Sequence, residues 1–202
     1  MHLLNLDKFT IKDEVIPAER LATMVEADQT KDLSAQLRDD GYLLLRSVYR
    51  PSDVQAARDE ILKRLAEVGE VAEPISDAIS TGTSERRLHY PNTKELGEFW
   101  KSVSEGSALR RVINGPEIIG VMAEIFGEKV THFSFAWLRA MQAGKASPIH
   151  IDHPYMNRGS KELLTCWCPI GPIGLDEGTL YILEGSHTWS DIRVQFEGLD
   201  VD

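Results

Sequence analysis

The residues with the most to offer chemically are an imidazole and a carboxylate separated by one isoleucine, in the run Pro148-Ile149-His150-Ile151-Asp152-His153-Pro154. Along an extended chain, side chains two apart project to the same side, so His150 and Asp152 can reach one cation together. An imidazole and a carboxylate, completed by a second, distant histidine, form the facial triad that holds non-haem iron(II) and leaves coordination positions open. Dioxygen and a co-substrate need those open positions. A bare His-x-Asp pair is a weak signal, because two surface polar residues explain it equally well. Its flanks have to decide.

The other reactive side chains have simpler explanations. His153 reads as an exposed loop residue and His132 as a core or edge residue ahead of an aromatic run. His89 and Tyr90, beside Arg86 and Arg87, read as surface residues of a long loop. Cys166 and Cys168 share one face of an expected strand, where a mutual disulfide is awkward. They read as small core residues, and a Cys-x-Cys metal site lacks partners. Trp100 and Trp137 read as core anchors.

These groups must be positioned by surrounding elements. Residues 1–30 carry little pattern and read as a peripheral arm with one short helix around residues 18–27. Leu33 and Leu37 mark a short helix ending at Asp39-Asp40-Gly41, and an apolar strand is expected over 42–48. The clearest helix spans 51–68. Pro51 suits its first turn and Asp53 its positive end. Val54, Ala57, Ile61, Leu65 and Val68 line one face, and Gly69 stops it. Residues 70–99 hold Pro74, Gly82 and Pro91 with little periodicity, and read as a long loop. Two helices follow, at 107–113 and 116–126, the second closed by Gly127 with Ile119, Met122 and Ile125 or Phe126 facing inward. Beyond Lys129 the texture changes. Phe133, Phe135 and Trp137 alternate with smaller residues, and further strands are expected at 163–170 and 178–183. Helices first and strands afterwards indicate an α+β fold with its sheet in the C-terminal half.

Composition narrows the function classes. With 42% hydrophobic and 27% charged residues the chain can bury a core and does not read as disordered. A formal net charge of −10 disfavours nucleic acid or an anionic membrane surface as a partner. The adjacent pairs Arg86-Arg87 and Arg110-Arg111 read as solvated surface charge. Two cysteines suit a reducing compartment. With no basic-then-apolar leader and no spanning apolar stretch, a cytoplasmic protein is the expectation.

The flanks of His150 and Asp152 carry a resemblance. A polar loop follows them, then a strand with Trp167, then Asp176-Glu177-Gly178-Thr179-Leu180-Tyr181-Ile182-Leu183-Glu184-Gly185-Ser186-His187. This order resembles the phytanoyl-CoA dioxygenase family. Its members show a His-x-Asp pair, a tryptophan-bearing strand and a Gly-rich hairpin ending in Gly-Ser-His, often with Pro where Glu184 stands. Leu37-Arg38-Asp39-Asp40-Gly41-Tyr42-Leu43-Leu44-Leu45 resembles the family's helix-to-strand opening. The resemblance runs from about residue 33 to 187, with 1–30 as an arm outside an oxygenase domain at 31–202.

The resemblance implies a double-stranded β-helix, or jelly roll, with N-terminal helices packed outside it. It implies an iron(II)- and 2-oxoglutarate-dependent dioxygenase. Such an enzyme decarboxylates 2-oxoglutarate to succinate and hydroxylates a small organic substrate with dioxygen. His150 and Asp152 carry over as iron ligands, Trp167 as a residue lining the co-substrate pocket, and Arg139 as a basic residue near it. No separate catalytic side chain is assigned. The family's second ligand histidine and its carboxylate-clamping arginine lie beyond the hairpin. Residues 188–202 hold Arg193 but no histidine. A fragment of a longer protein is the favoured explanation; an inactive truncation, or a site completed by another residue such as His187, are the others. On this basis residues 1–202 are expected to bind iron weakly and not to turn over, and an unclosed sheet invites self-association. A non-catalytic jelly-roll binding protein and a cupin-like metalloenzyme are the alternative functions.

Overall fold

The computed structural model describes residues 22–134, 136–139, 147, 149–156, 159–174, 179–191 and 194. Regular structure among them is helical: α1 (Leu33–Asp40), α2 (Pro51–Ala66), α3 (Arg86–His89), α4 (Thr93–Ser104), α5 (Ser107–Ile113), α6 (Pro116–Phe126) and α7 (His153–Met156). Single 3-10 turns stand at Ile75–Asp77 and Ser186–Thr188.

Helix α2 forms where its sequence pattern places it. Pro51 opens it, Asp53 sits in the first turn, and Ala57, Ile61, Leu62 and Leu65 are buried on one face. Val68 is buried just past its end, before Gly69 turns the chain at a φ of 69°. That face meets Phe99 and Val103 of α4 and Leu109 and Val112 of α5, forming the core. The start of α5 has no cap of its own. Glu60, reaching across from α2, accepts the amides of Ala108 and Leu109 at 3.1 Å each, placing a carboxylate at the positive end of that helix.

An ionic ring reinforces the same corner. Arg111 pairs with Glu117 through two nitrogens at 2.5 and 2.6 Å and with Asp53 at 3.2 Å, while Arg50 lies 2.9 Å from Asp53. The arginine pairs are therefore only partly solvated charge: Arg111 joins three helices, and Arg86 bonds Glu70 and stacks over Trp100 at 4.7 Å.

Several expectations are corrected. Helix α4 rises inside the stretch read as loop, capped by the Asn92 side chain on the Glu95 amide at 2.9 Å. Ile118, rather than Ile119, is buried on α6 together with Ile125. The helix expected around 18–27 is not formed over 22–27, where Glu26 instead bridges Leu44; its beginning lies outside the described residues. The strand expected at 42–48 contributes only that bridge.

The larger correction concerns the sheet. Among the described residues the strand pairings are two isolated bridges, Glu26–Leu44 and Val71–Ser80. The alternating segments around 133–137, 163–170 and 179–183 form no ladder among the described residues, so the observed structure is helical where α+β was expected. Phe135 and Gly178 lie outside the described residues. A strand obtains its backbone hydrogen bonds only from a neighbour, and Phe133, Trp137, Trp167, Leu180 and Ile182 of these segments stand exposed. Trp137 is 47% exposed and does not anchor a core.

The helical layer nonetheless holds these segments at defined points. Arg110 donates to the Ser134 carbonyl at 2.5 Å and Arg58 to the Ile170 carbonyl at 3.4 Å. Leu138 and Ile170 pack against the helical core.

Candidate metal centre

His150 and Asp152 meet. His150 Nε2 lies 3.2 Å from Asp152 Oδ1, with the two side chains 42% and 31% exposed. The pair comes together through local geometry: a two-residue step directs both groups to one side, and α7 begins immediately afterwards. The Tyr155 amide donates to the Asp152 carbonyl at 3.0 Å, which fixes the backbone leading into that turn, and Pro154 is buried beneath it.

This spacing suits a shared cation. Neighbouring donors around one ion, at bond lengths of about 2.0–2.2 Å, stand roughly 3 Å apart. A neutral imidazole nitrogen and a carboxylate oxygen are also the donor types that iron(II) accepts. Among the described residues no set of three His, Cys, Asp or Glu gathers around one point, so the pair stands as a two-donor candidate.

Arg139 and Trp167 fall differently. The Arg139 guanidinium stacks over the Trp137 ring at 5.3 Å, and Trp137 meets Tyr155 edge-on at 6.1 Å. Tyr155 is three residues past Asp152, so Arg139 joins the His150–Asp152 turn through two aromatic rings. Trp167 is 46% exposed and makes no hydrogen bond or ring contact with His150 or Asp152 among the described residues. Its neighbours Cys166 and Cys168 turn towards Tyr49. Cys166 is exposed and Cys168 half-buried, so neither is the small core residue expected. Pro148, the Gly144 turn, Asp176-Glu177-Gly178 and Arg193 lie outside the described residues.

One association escapes sequence reasoning. The turn Glu184-Gly185-Ser186-His187 lies against the turn Asp39-Asp40-Gly41-Tyr42, around a cavity of about 220 Å³ that Val25 also lines. Gly41 caps α1 at a φ of 78°, and a side chain there would collide with the His187 imidazole. Glycine is thus required twice, by backbone conformation and by the approach of the ring. His187 lies in the 3-10 turn Ser186–Thr188, close against Gly41. A larger groove of about 410 Å³, lined by Arg64, Tyr90, Lys94, Glu98 and Phe99 among others, belongs to α2 and α4 rather than to the His150–Asp152 turn. His89, expected as a surface residue, is half-exposed and pairs with Glu85 at 3.5 Å.

The two turns that meet at Gly41 and His187 lie near the two ends of the resemblance seen in the sequence. No curated protein and no solved structure matches the chain. The family model for phytanoyl-CoA dioxygenase (PhyH) matches residues 37–200, which takes in the Gly41 turn, the His150–Asp152 pair and the Gly-Ser-His turn. The chain therefore belongs to the phytanoyl-CoA dioxygenase family.

Proposed function

We propose that this chain carries part of the site of an iron(II)- and 2-oxoglutarate-dependent dioxygenase acting on a small organic substrate, with His150 and Asp152 as two of the iron ligands. The observation that carries the reading is their 3.2 Å approach on a single turn. Family membership supports it, since members are generally oxygenases of this type. The oxygenase domain is taken as residues 31–202, preceded by an arm, and a jelly roll is the fold the family implies for it.

When bound, iron(II) with 2-oxoglutarate and dioxygen supplies the oxidative decarboxylation that drives hydroxylation of the substrate. The chain's own contribution is positional. His150 offers an imidazole nitrogen and Asp152 a carboxylate oxygen to one cation, and α7 holds the Asp152 backbone through Tyr155. Arg139, kept over Trp137, places a permanent positive charge near the turn, where it suits a dicarboxylate co-substrate. Trp167 offers an aromatic face on a neighbouring segment.

His150 and Asp152 by themselves hold a divalent cation weakly, so modest affinity is expected of the pair. Titration with cobalt(II), followed by visible absorption, tests the assignment. His150→Ala and Asp152→Ala should each weaken binding about tenfold or more, while His132→Ala leaves it unchanged. Equal binding by all four proteins would remove His150 and Asp152 from the metal site. Robust 2-oxoglutarate-dependent succinate formation by the same chain would overturn the expectation of weak binding without turnover.

A further inference from the structure

Apart from the metal-ligand pair, one cluster of reactive side chains stands out. Cys166 Sγ and Cys168 Sγ lie 3.5 Å apart on one side of their segment. The Tyr49 hydroxyl lies 2.8 Å from Cys168 Sγ and 3.9 Å from Cys166 Sγ. Tyr49 packs against the helical core, so the thiols are held against the helical layer rather than loose in a loop. Cys166 is the exposed member. No third His, Cys, Asp or Glu stands with them among the described residues, which turns attention from metal binding to thiol chemistry.

One order of donors fits the cluster. The Tyr49 O–H can donate to Cys168 Sγ, and the Cys168 S–H to Cys166 Sγ. The hydrogen bond from Cys168 holds the Cys166 thiol down to about 7, and the same bond, with burial, pushes Cys168 up. Burial likewise raises Tyr49, which keeps the phenol protonated as a donor. The reactive form of a cysteine is its thiolate. The accessible sulfur is thus the nucleophile, and its partner waits at near-contact distance.

We propose that Cys166 and Cys168 form a peroxide-reactive dithiol, with Cys166 as the attacking and Cys168 as the resolving residue. The Cys166 thiolate attacks one oxygen of a hydroperoxide and breaks the O–O bond. This gives Cys166 sulfenic acid, and the departing oxygen leaves as water or alcohol after taking up a proton. Cys168 Sγ then displaces hydroxide from the Cys166 sulfur. The S–S bond forms, the Cys168 proton joins the hydroxide, and water leaves. Two thiols are oxidised to one disulfide and one peroxide is reduced.

The disulfide is of the labile kind. Two residues of extended chain span about 6.4–6.8 Å, at the upper edge of the Cα separations a disulfide bridges. Strained and exposed disulfides are the readily reduced ones. Its formation would also withdraw Cys168 from Tyr49, so the oxidised segment gives up one of its attachments to the helical layer.

The test uses the full 202-residue chain, reduced and then exposed to hydrogen peroxide. Peptide mass mapping should find a Cys166–Cys168 link within one chain, reversed by dithiothreitol. Cys168→Ser should stop at a sulfenic acid on Cys166 that dimedone traps. Cys166→Ser should leave Cys168 reacting at least tenfold more slowly than Cys166 does in the parent. Tyr49→Phe, which keeps the packed ring, should slow the first step several-fold at neutral pH. Links found only between chains, or equal reactivity of Cys166 and Cys168 in the two serine variants, would overturn the proposal. So would a rate unchanged in Tyr49→Phe, as regards the role of the tyrosine.

Discussion

The helices α2, α4 and α5 bury large apolar side chains against one another, with Phe99 and Leu109 each at 2% exposure, whereas Trp137, Trp167, Leu180 and Ile182 of the later segments stand well exposed. The two regions do not differ in apolar content so much as in what their backbones require. A helix satisfies its amides within itself, so α2, α4 and α5 can each form and then be packed. A strand draws its hydrogen bonds from a neighbour that can lie far along the chain. Without ladders to align them, the alternating segments have apolar residues but no common face to bury. The His150–Asp152 pair lies in this second region, and it still assembles because its geometry spans only two residues.

Substitutions can break that contrast or sharpen it. The largest expected effect is at Phe99, which stacks on Tyr90 at 4.8 Å and meets Trp100 edge-on at 5.3 Å. Phe99→Ala should cost about 3–5 kcal/mol in urea unfolding, against less than about 1 kcal/mol for Trp137→Ala. Equal costs would mean that both regions share one cooperative core.

Gly41→Ala comes next. It forces a side chain into a left-handed conformation and against His187, for an expected loss of about 1–3 kcal/mol. Adding His187→Ala should recover part of that loss; if it recovers none, the two turns are not energetically joined. Glu60→Gln keeps an acceptor for the Ala108 and Leu109 amides but removes its charge from the start of α5. About 0.5–1 kcal/mol is expected, read as a shift in the urea midpoint with unchanged slope.

The smallest effect is a pH dependence. The two-nitrogen hydrogen bond from Arg111 draws the Glu117 carboxyl from 4.5 down to about 2. A carboxyl lowered on folding stabilises fully above 4.5 and loses that contribution as pH falls towards 2. Thermal midpoints should therefore fall across that window, and less steeply in Glu117→Gln. Parallel curves for the two proteins would detach the ionic ring from acid stability.

Much of the helical layer was legible because its signals are local. Pro51, the three- and four-residue spacing from Ala57 to Leu65, and Gly127 after α6 each act within a turn or two. Helix α4 was hidden because its cap, Asn92, follows a stretch broken by proline and serine, although Leu96, Phe99, Trp100 and Val103 do recur at helical spacing. The approach of His150 to Asp152 was legible for the same local reason. The meeting of Gly41 with His187, and of Tyr49 with the thiols, was not, because each joins residues more than a hundred positions apart and no periodicity encodes such a pairing. The strand segments show the converse: alternation was correctly seen, but alternation describes a face and does not supply a neighbour.

The two arginines that hold the later segments grip backbone carbonyls, Arg110 at Ser134 and Arg58 at Ile170. A guanidinium keeps its proton at any ordinary pH, and a peptide oxygen does not titrate in mild acid. These tethers are therefore indifferent to the acid that neutralises Glu117. As pH falls towards 2 the helices should loosen at their own ionic corner while the outer segments stay moored, so the best-packed part of the molecule is the part whose joints respond first to protons.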